Sequence, residues 1–336
     1  MTDSHEKEQA QALDLLEDLM GRAKKAGAES ADAVFVKGVS LSQSIRLGKP
    51  EHLERSEGSD IGLRVFMGKR QAMVSSSDSS AEALDELALR AVSMARAVPE
   101  DPFCGLADPD QLATRFPDVD SFDTFEPAAD HLSDLASRCE EAAMAVDGVT
   151  NSEGGSAGWG TNTVAMAASS GFARAYANSS HSLSASVIAG EGTGMERDYD
   201  YTAAVFAEDM DSPETIGKSA GEKAVRRLNP KKVETASVAI VFDTRVSKSL
   251  VGHFSAAING SSVARGTSFL KDKMGEKIFA DGINIIDDPH RRRGLKSRPF
   301  DGEGIATKRL PLIEDGRLKT WVMDLRSARQ LGLQTT

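Results

Sequence analysis

The sequence predicts an α+β fold in which antiparallel strands form most of the framework. Three observations support this prediction: a helical apolar period near the N-terminus, a run of short alternating apolar segments after it, and long alternating stretches of small residues in the second half. Alternation over two residues indicates strands, and steps of three and four residues indicate helices. We expect an N-terminal helix–antiparallel meander–helix domain over 1–148 and a larger C-terminal antiparallel β domain with inserted helices over 149–336.

The first half begins with a helix and continues as a meander. Residues 10–26 carry apolar side chains at helical spacing. The segments ADAVFVKG, SQSIRLG, HLERSEG, DIGLRVFMG and RQAMVSSS then alternate between Gly-containing or Pro-containing breaks, which predicts short strands. Ser79 and Glu82 have capping-box spacing and predict a helix that runs to about Pro99. A proline-rich connection follows, and a further helix is expected over 128–146.

The second half predicts long strands, a helix and a hairpin. From residue 149, Ser, Thr, Ala and Gly alternate as in antiparallel strands with small side chains. The run Asp211-Ser212-Pro213-Glu214 combines a cap residue, a first-turn proline and an acid at the positive end of a helix. ASVAIVFD predicts a buried strand and TRVSKSLVGHFSAAI a helix. LPLIEDGRLKTWVMD predicts a β-hairpin.

Composition limits the classes of function. The chain has 51 acidic and 40 basic residues and a formal charge of -11, which argues against non-specific binding to nucleic acid or anionic membranes. No apolar run reaches the roughly 18 residues of a membrane helix. The charged N-terminus lacks the apolar core of a signal peptide, so we expect a cytoplasmic protein. Cys104 and Cys139 are too few for a disulfide scaffold and are expected to be reduced structural thiols.

Catalytic motifs are missing from the sequence. A zinc-peptidase helix needs two histidines on one face and a glutamate beside the first. Only His5 precedes a glutamate, and Gln9 stands where a second histidine would fall. A zinc site assembled from distant residues stays open as an alternative. The chain also has no G-x-S-x-G elbow and no phosphate-binding glycine motif. We therefore assign no catalytic and no metal-binding residue to this chain.

Two polar clusters are candidates for a binding site. One is the charge run Asp287–Arg293, whose simpler interpretation is a solvated loop. The other is PFDGEG at 299–304, where acidic residues between glycines can present carboxylates or backbone N–H groups to a ligand. A plain turn is the alternative for this second segment.

Several segments resemble the TldD/PmbA family, whose members were once labelled modulators of DNA gyrase. They are GLRVFMGKRQAMVSSSD, the block that runs from GHFSAAINGSSVARGTSFL to DDPHRRRGLKSRPFDGEG, and LPLIEDGRLKTWVMD. The resemblance extends over essentially the whole chain in family order. It implies a heterodimeric cytoplasmic peptidase in which the TldD subunit carries an HExxxH zinc helix and the PmbA/TldE subunit helps to enclose the chamber. The implied substrates are unfolded peptides, including antitoxins and peptide-antibiotic precursors in some bacteria.

The subfamily depends on one helix. In TldD the zinc helix lies just upstream of the segment that matches Arg265–Ser268. This chain has VGHFSA at 251–256, with one histidine and no glutamate. A single imidazole cannot hold catalytic zinc, which takes three protein ligands and a water. The resemblance is therefore to PmbA/TldE, and it implies no cofactor in this chain, zinc in a TldD-type partner, and pairing with a second copy when that partner is absent.

The resemblance also suggests residues that line a peptide cavity. Arg265 can donate hydrogen bonds to peptide carbonyls or a carboxylate, and neighbouring hydroxyls can do so more weakly, although capping a helix near 268 is the alternative. For His253 the alternative is a helix residue that faces a partner or the core. The candidate cavity residues are His253, Arg265, Thr267, Ser268, Asp301 and Glu303.

Two expectations concern the C-terminus and the class of function. Relatives continue beyond GLQTT through further strands, and in TldD this region supplies a cysteine ligand; we therefore expect an uncovered edge in the C-terminal sheet. The predicted function is the non-zinc partner subunit of a TldD/TldE-type metallopeptidase. A freestanding metallopeptidase and a gyrase-directed regulatory protein are the alternatives, and no residue points to gyrase.

Overall fold

A six-stranded antiparallel sheet forms the framework of the computed structural model, which describes residues 2–336. Its strands are β1 (Ser30–Arg46), β2 (Lys49–Met67), β3 (Arg70–Ser76), β4 (Val149–Ala168), β5 (Ala173–Ala189) and β6 (Glu196–Ala204). Their spatial order is β3-β2-β1-β4-β5-β6. The α+β class is as predicted. The sheet crosses position 148, because β1 pairs with β4, and the division into domains at that position stays a prediction.

The strands are longer than the sequence indicated. Gly38 and Gly58, which we interpreted as breaks, lie opposite each other within the continuous β1–β2 ladder. The prediction of five short strands was therefore wrong, and three longer strands replace them. Glycine is tolerated inside a strand where no side chain is needed to fill the space above it. The true turn between β1 and β2 lies at Leu47 and Gly48, both of which have positive φ.

Four helices cover one face of the sheet. They are α1 (Thr2–Ala26), α2 (Ala81–Ala97), α3 (Ala129–Met144) and α4 (Pro213–Arg226). The helices predicted at 10–26, after Ser212 and over 128–146 are confirmed. The cap of α2 is Ser80 rather than Ser79, since the Ser80 hydroxyl accepts the hydrogen bond from the N–H of Ala83.

Two apolar cores lie between these helices and the sheet. The first packs α1 and α2 on the β1–β3 side, around Leu16, Leu63 and Leu87. The second packs α3 and α4 on β4 and β5, around Leu132 and Leu183. Both use the odd-numbered positions of β1, so the even-numbered positions face the opposite side of the sheet. That opposite side is partly covered by C-terminal residues.

The C-terminal part forms a small unit of its own secondary structure. It comprises α5 (Thr244–Ala257), α6 (Gly260–Ala264), β7 (Ile285–Asp287), β8 (Leu310–Glu314), β9 (Arg317–Leu318) and α7 (Leu325–Leu331). Ile258, Ile313 and Leu318 are fully buried in its core. The predicted helix before residue 258 and the predicted hairpin are confirmed. Asp315 and Gly316 both have positive φ, as a tight hairpin turn requires.

The predicted buried strand ASVAIVFD at 236–243 was wrong. The segment has no strand pairing in the described part of the chain, and its side chains are exposed, with Val241 at 96%. Its apolar composition is that of a buried strand. A strand, however, also requires a neighbour that pairs with its backbone groups, and none of the nine described strands pairs with it.

Two further features bear on function. No helix within residues 2–336 is long and apolar enough to cross a membrane.

Cys104 and Cys139 are both buried and unpaired, and burial raises the pKa of the Cys139 thiol to about 12. A thiol with such a pKa is poorly reactive at neutral pH.

Candidate functional site

A cleft of about 1070 Å³ lies between the face of the sheet that carries no helices and the C-terminal unit. We call it the C-terminal cleft. Its walls come from β2, from the 287–310 segment, and from the N-terminal residues of α6 and α7. The polar residues that line it and matter below are Arg64, Asn259, Ser261, Arg298, Asp301, Glu303 and Asp324.

Asp301 builds the turn on which PFDGEG lies. Its Oδ1 accepts hydrogen bonds from the backbone N–H groups of Glu303 at 2.9 Å and Ile305 at 2.8 Å. Gly304 has a φ of 76° and faces the ring of Phe172 so closely that a Cβ would clash with it. Asp301 therefore closes a turn and also lines the cleft, so the two interpretations of this segment are compatible.

Glu303 connects the same turn to α7. Its Oε2 accepts a hydrogen bond from the Leu325 N–H at 2.9 Å. Burial raises the pKa of Glu303 above its ordinary value, and the nearby negative charge of Asp301 raises it further. Burial likewise raises the pKa of Asp301. Two carboxyls with raised pKa values in one cleft are typical of binding or catalytic sites, although structural pairs also show such shifts.

Arg64 supplies a fixed positive charge near Glu303. It lies on β2 and makes a two-point ion pair with Asp32 of β1, with Nε 2.9 Å from Oδ1. Arg64 and Asp32 are opposite each other in the β1–β2 ladder, so the sheet register holds them together. Because the pair is only partly exposed, it places a positive charge beside Glu303 that partly offsets the carboxylates.

The other four predicted cavity residues lie outside the C-terminal cleft. Ser268 is buried, and its hydroxyl donates to the Ala257 carbonyl at 2.5 Å and accepts from the Leu270 N–H. Thr267 donates to the Ser262 carbonyl at 3.1 Å. These two hydroxyls stabilise the chain between α6 and the following loop.

His253 and Arg265 are exposed. His253 is on α5, and Arg265 follows the last residue of α6. The cleft-lining residues nearest to them in sequence are Asn259 and Ser261, at the N-terminus of α6. Asn259 caps α6 through its side-chain oxygen, and this Asn-Gly-Ser pattern was the signal in the sequence that could have identified them.

The donor set at α5 does not suit zinc. One helical turn from His253 stand Ser249, Ala256 and Ala257, none of which is a zinc ligand of ordinary type. Across the described part of the chain, no group of three or more His, Cys, Asp or Glu side chains is placed to hold a metal ion.

The charge run at 287–293 is largely a structural clamp. Arg293 Nε lies 2.9 Å from Asp120 Oδ2, and its Nη1 lies 2.7 Å from Glu208 Oε1. Its guanidinium also stacks over Phe206 at 3.8 Å from the ring centroid. These contacts fasten the wall of the cleft to the long 98–128 connection and to the segment after β6. Arg293 is therefore held by acidic residues outside the run, whereas Arg291 and Arg292 are exposed.

The chain matches one protein family along most of its length. Family models described as PmbA/TldA metallopeptidase domain 1, central domain and C-terminal domain match residues 31–95, 122–228 and 235–336. "Metalloprotease PmbA" from Escherichia coli O157:H7 is 37% identical over 92% of this chain and 69% of that protein. A "Metalloprotease PmbA homolog" from Haemophilus influenzae is 35% identical over 99% of this chain and 73% of that protein.

Solved structures agree with this match. A proposed modulator of DNA gyrase from Bacteroides thetaiotaomicron has a TM-score of 0.90 and 27% identity, over 96% of this chain and 74% of that one. TldE from Thermococcus kodakarensis has a TM-score of 0.79 over 96% of this chain and 72% of that one, and at 20% identity it supports the fold alone.

The fold is that of an α+β protein of the PmbA/TldD type. The chain belongs to the PmbA/TldD metallopeptidase family.

Proposed function

We propose that this chain acts in the cytoplasm as the subunit without zinc in a two-chain metallopeptidase that degrades or trims unfolded peptides. The observation that carries the proposal is the α5 helix, which has one exposed histidine and no second ligand within a turn. A chain with this helix needs a TldD-type partner that brings the zinc. The metal in the partner would polarise the scissile carbonyl of the peptide.

The C-terminal cleft supports a role in holding the peptide. Its volume of about 1070 Å³ is large enough for several residues of an extended chain. Asp301 uses one carboxylate oxygen on two backbone N–H groups of the protein, and Glu303 uses one carboxylate oxygen on a single backbone N–H. Their second oxygens can accept N–H groups or an amino terminus of a peptide, and exposed cations such as Arg298 on the same cleft can bind its carbonyls or carboxylate.

Arg265 is the residue we propose to meet the peptide or the partner outside the cleft. It is exposed, and its guanidinium makes no hydrogen bond within the described residues. Five N–H donors without an internal partner are available for peptide carbonyls or a C-terminal carboxylate. Thr267 and Ser268, which we had grouped with Arg265, already use their hydroxyls on backbone groups.

Reconstitution with a TldD-type subunit tests the proposal. Purified chain, partner and mixture are each assayed with a fluorescence-quenched unstructured peptide, and bound zinc is measured in each. We expect zinc in the partner only and hydrolysis in the mixture only. A stoichiometric amount of zinc in this chain alone, together with hydrolysis, would instead support a freestanding peptidase. Capture of gyrase rather than the partner from the source cell would support the regulatory alternative.

A variant pair tests the role of Arg265. We expect Arg265→Ala to raise KM of the mixture several-fold, while complex formation and zinc content stay unchanged. Arg226→Ala is the matched control, because Arg226 is another exposed arginine near the end of a helix, on α4. If both variants keep wild-type kinetics at every peptide concentration, Arg265 has no role in peptide binding.

A further inference from the structure

A second cavity, of about 310 Å³, lies on the helix-bearing face of the sheet. We call it the His181 pocket. Most of its walls are apolar. The residues that form them come from β5, α3, the first residue of α4 and the segments that precede these two helices: Phe125, Pro127, Leu132, Leu135, Leu183, Met210 and Pro213. Well-packed interiors contain few voids larger than a water molecule. The His181 pocket is partly open to solvent, since Phe125, His131 and Asp211 on its rim are exposed, and its volume is large enough for a single aromatic ring.

His181 gives this apolar pocket one buried polar group. The residue is only 3% exposed, and its Nε2 has no hydrogen-bond partner among the described residues. Asp123 Oδ2 lies 3.2 Å from this nitrogen without meeting hydrogen-bond geometry, and its negative charge raises the pKa of His181 against the larger lowering effect of burial. A buried polar atom left unpaired costs free energy. A ligand that forms a hydrogen bond with this imidazole would remove that cost, and its binding would be favoured accordingly.

Asp123 holds its position through other bonds. Its Oδ1 accepts the Phe125 N–H at 2.9 Å, and its Oδ2 accepts the Ala207 N–H at 3.0 Å. Asp123 is thus held beside His181, although it does not itself line the pocket. The charged carboxylate that lines the pocket is Asp211. That charge disfavours carboxylates and phosphates as ligands.

The walls favour a flat ring. Phe125 stacks on His181, with ring centroids 6.2 Å apart and planes at 19°, and meets His131 edge to face at 5.6 Å. Phe125 is 43% exposed, so the pocket wall that it forms lies at the protein surface. Aromatic rings in these stacked and edge-on arrangements attract a further ring, and methionine sulfur does the same.

We propose that the His181 pocket binds a neutral phenol ring, either of a small molecule or of a tyrosine side chain in a peptide. The ring would lie among Phe125, Leu135 and Met210, and its hydroxyl would pair with the His181 imidazole. A neutral imidazole offers one donor and one acceptor, and a hydroxyl group can satisfy either of them. Burial lowers the pKa of His181, which keeps the ring neutral at physiological pH.

This site is separate from the C-terminal cleft. His181 and its cross-strand neighbour Trp159 face the helices, whereas Arg64 of the cleft faces the other side of the sheet. Phenol binding therefore does not depend on the proposed peptidase role, and either proposal can fail without the other.

Titration of the intact chain with p-cresol tests the proposal. Protein labelled with ¹⁵N-histidine is titrated, and the His181 ring signals are followed. We expect them to shift and saturate, with p-cresol binding about tenfold more tightly than toluene because one buried hydrogen bond is gained. We expect 4-methylbenzoate not to bind. N-acetyl-tyrosine-N-methylamide distinguishes the sources: its binding shows that a tyrosine residue can enter, and its failure beside p-cresol binding limits the pocket to small molecules.

Two variants separate pocket binding from surface binding. Leu135→Trp fills the pocket from α3 and should abolish p-cresol binding, whereas Leu89→Trp makes the same change at an exposed position of α2 and should leave it unchanged. His181→Phe should keep toluene binding and remove the preference for p-cresol, which also covers the case in which Leu135→Trp does not fold. Equal affinity for toluene and p-cresol in the wild type, tighter binding of 4-methylbenzylamine, or no shift at the solubility limit of p-cresol would overturn the proposal.

Discussion

Asp301→Ala should destabilise the protein, whereas Asp301→Asn should be nearly neutral. The Asp301 side chain accepts two backbone N–H groups, from Glu303 and Ile305, in a half-buried turn. Alanine leaves both donors without this acceptor, at about 1–3 kcal/mol each when fully buried. Water can reach part of the turn, and removal of a buried charge returns some free energy. We therefore expect a net loss of about 2 kcal/mol, or about 3 °C in Tm.

Asparagine keeps an oxygen in the place of Oδ1 and lacks the charge. The loss should then stay below about 1 kcal/mol. Both variants are compared with the wild type by urea unfolding followed by tryptophan fluorescence, since Trp321 is buried in the C-terminal unit. If the asparagine variant loses as much stability as the alanine variant, the two N–H contacts do not carry the effect. If neither variant loses stability, the turn does not depend on Asp301 at all.

The pH dependence gives an independent check on the same residue. Burial raises the pKa of Asp301 above its ordinary value of 3.8. At a pH between the ordinary pKa of the unfolded chain and the raised pKa of the folded chain, the folded chain still holds a proton that the unfolded chain has released. The stability contributed by this carboxyl therefore falls as the pH rises through that window. Asp301→Asn lacks this titration. The difference in Tm between the asparagine variant and the wild type should therefore move in favour of the variant from pH 3 to neutral pH, and a constant difference would contradict the raised pKa.

Three further predictions concern the framework of the fold. Glu140→Ala should cost about 3 kcal/mol in equilibrium unfolding, because this buried carboxylate accepts two N–H groups of the β1–β2 turn and a serine hydroxyl. Gly217→Ala should cost at least about 2 kcal/mol, because a Cβ there would lie 2.1 Å from the Cys139 carbonyl, whereas Gly252→Ala, with open space around it, should be neutral or stabilising. The lowered pKa of buried His181 means that the unfolded chain binds its proton first, so Tm should fall as the pH drops below about 6.5, and this part of the fall should vanish in His181→Phe.

Sequence signals predicted the secondary structure well where residues that are close in sequence determine the conformation. The run Ser212-Pro213 begins α4 as expected, and the hairpin around Gly316 has the backbone angles that its residues favour. Both depend on interactions within a few residues. Glycine inside the sheet was misinterpreted for the opposite reason. Whether Gly38 interrupts a strand depends on what lies across the ladder and above the sheet, and neither is adjacent in sequence.

The exposed segment 236–243 was also mispredicted, because strand pairing depends on a second segment of the chain. Its apolar side chains at alternating and consecutive positions are those of a central strand, and hydrophobicity alone favoured burial. Pairing, however, is a property of two segments. The residues of a segment indicate whether it favours a sheet, but they do not indicate which other segment pairs with it. The error at 236–243 could therefore not be detected from the residues of that segment alone.

The candidate residues were predictable as a set, and their individual roles were not. PFDGEG identified the loop that lines the C-terminal cleft, because acids and glycines in a tight turn are a local signal. The partner of Glu303 is the start of a helix more than twenty residues later, at the Leu325 N–H. No local pattern contains that contact, and none distinguishes a hydroxyl that serves the backbone, such as that of Ser268, from one that is free to bind a ligand.

His181 illustrates how a functional hypothesis can arise from contacts alone. In the sequence it is one of six scattered histidines, without a motif around it. Three separate segments form the surroundings of His181. It lies on β5, the segment before α3 contributes Asp123 and Phe125, and the segment before α4 contributes Met210. These segments lie up to about ninety residues apart in the chain. A polar group left unpaired within such an assembly has no cause in local propensity. A buried, unpaired imidazole is therefore better evidence for a ligand than an exposed imidazole. Solvent already satisfies the nitrogens of an exposed ring, so an exposed ring needs no further partner.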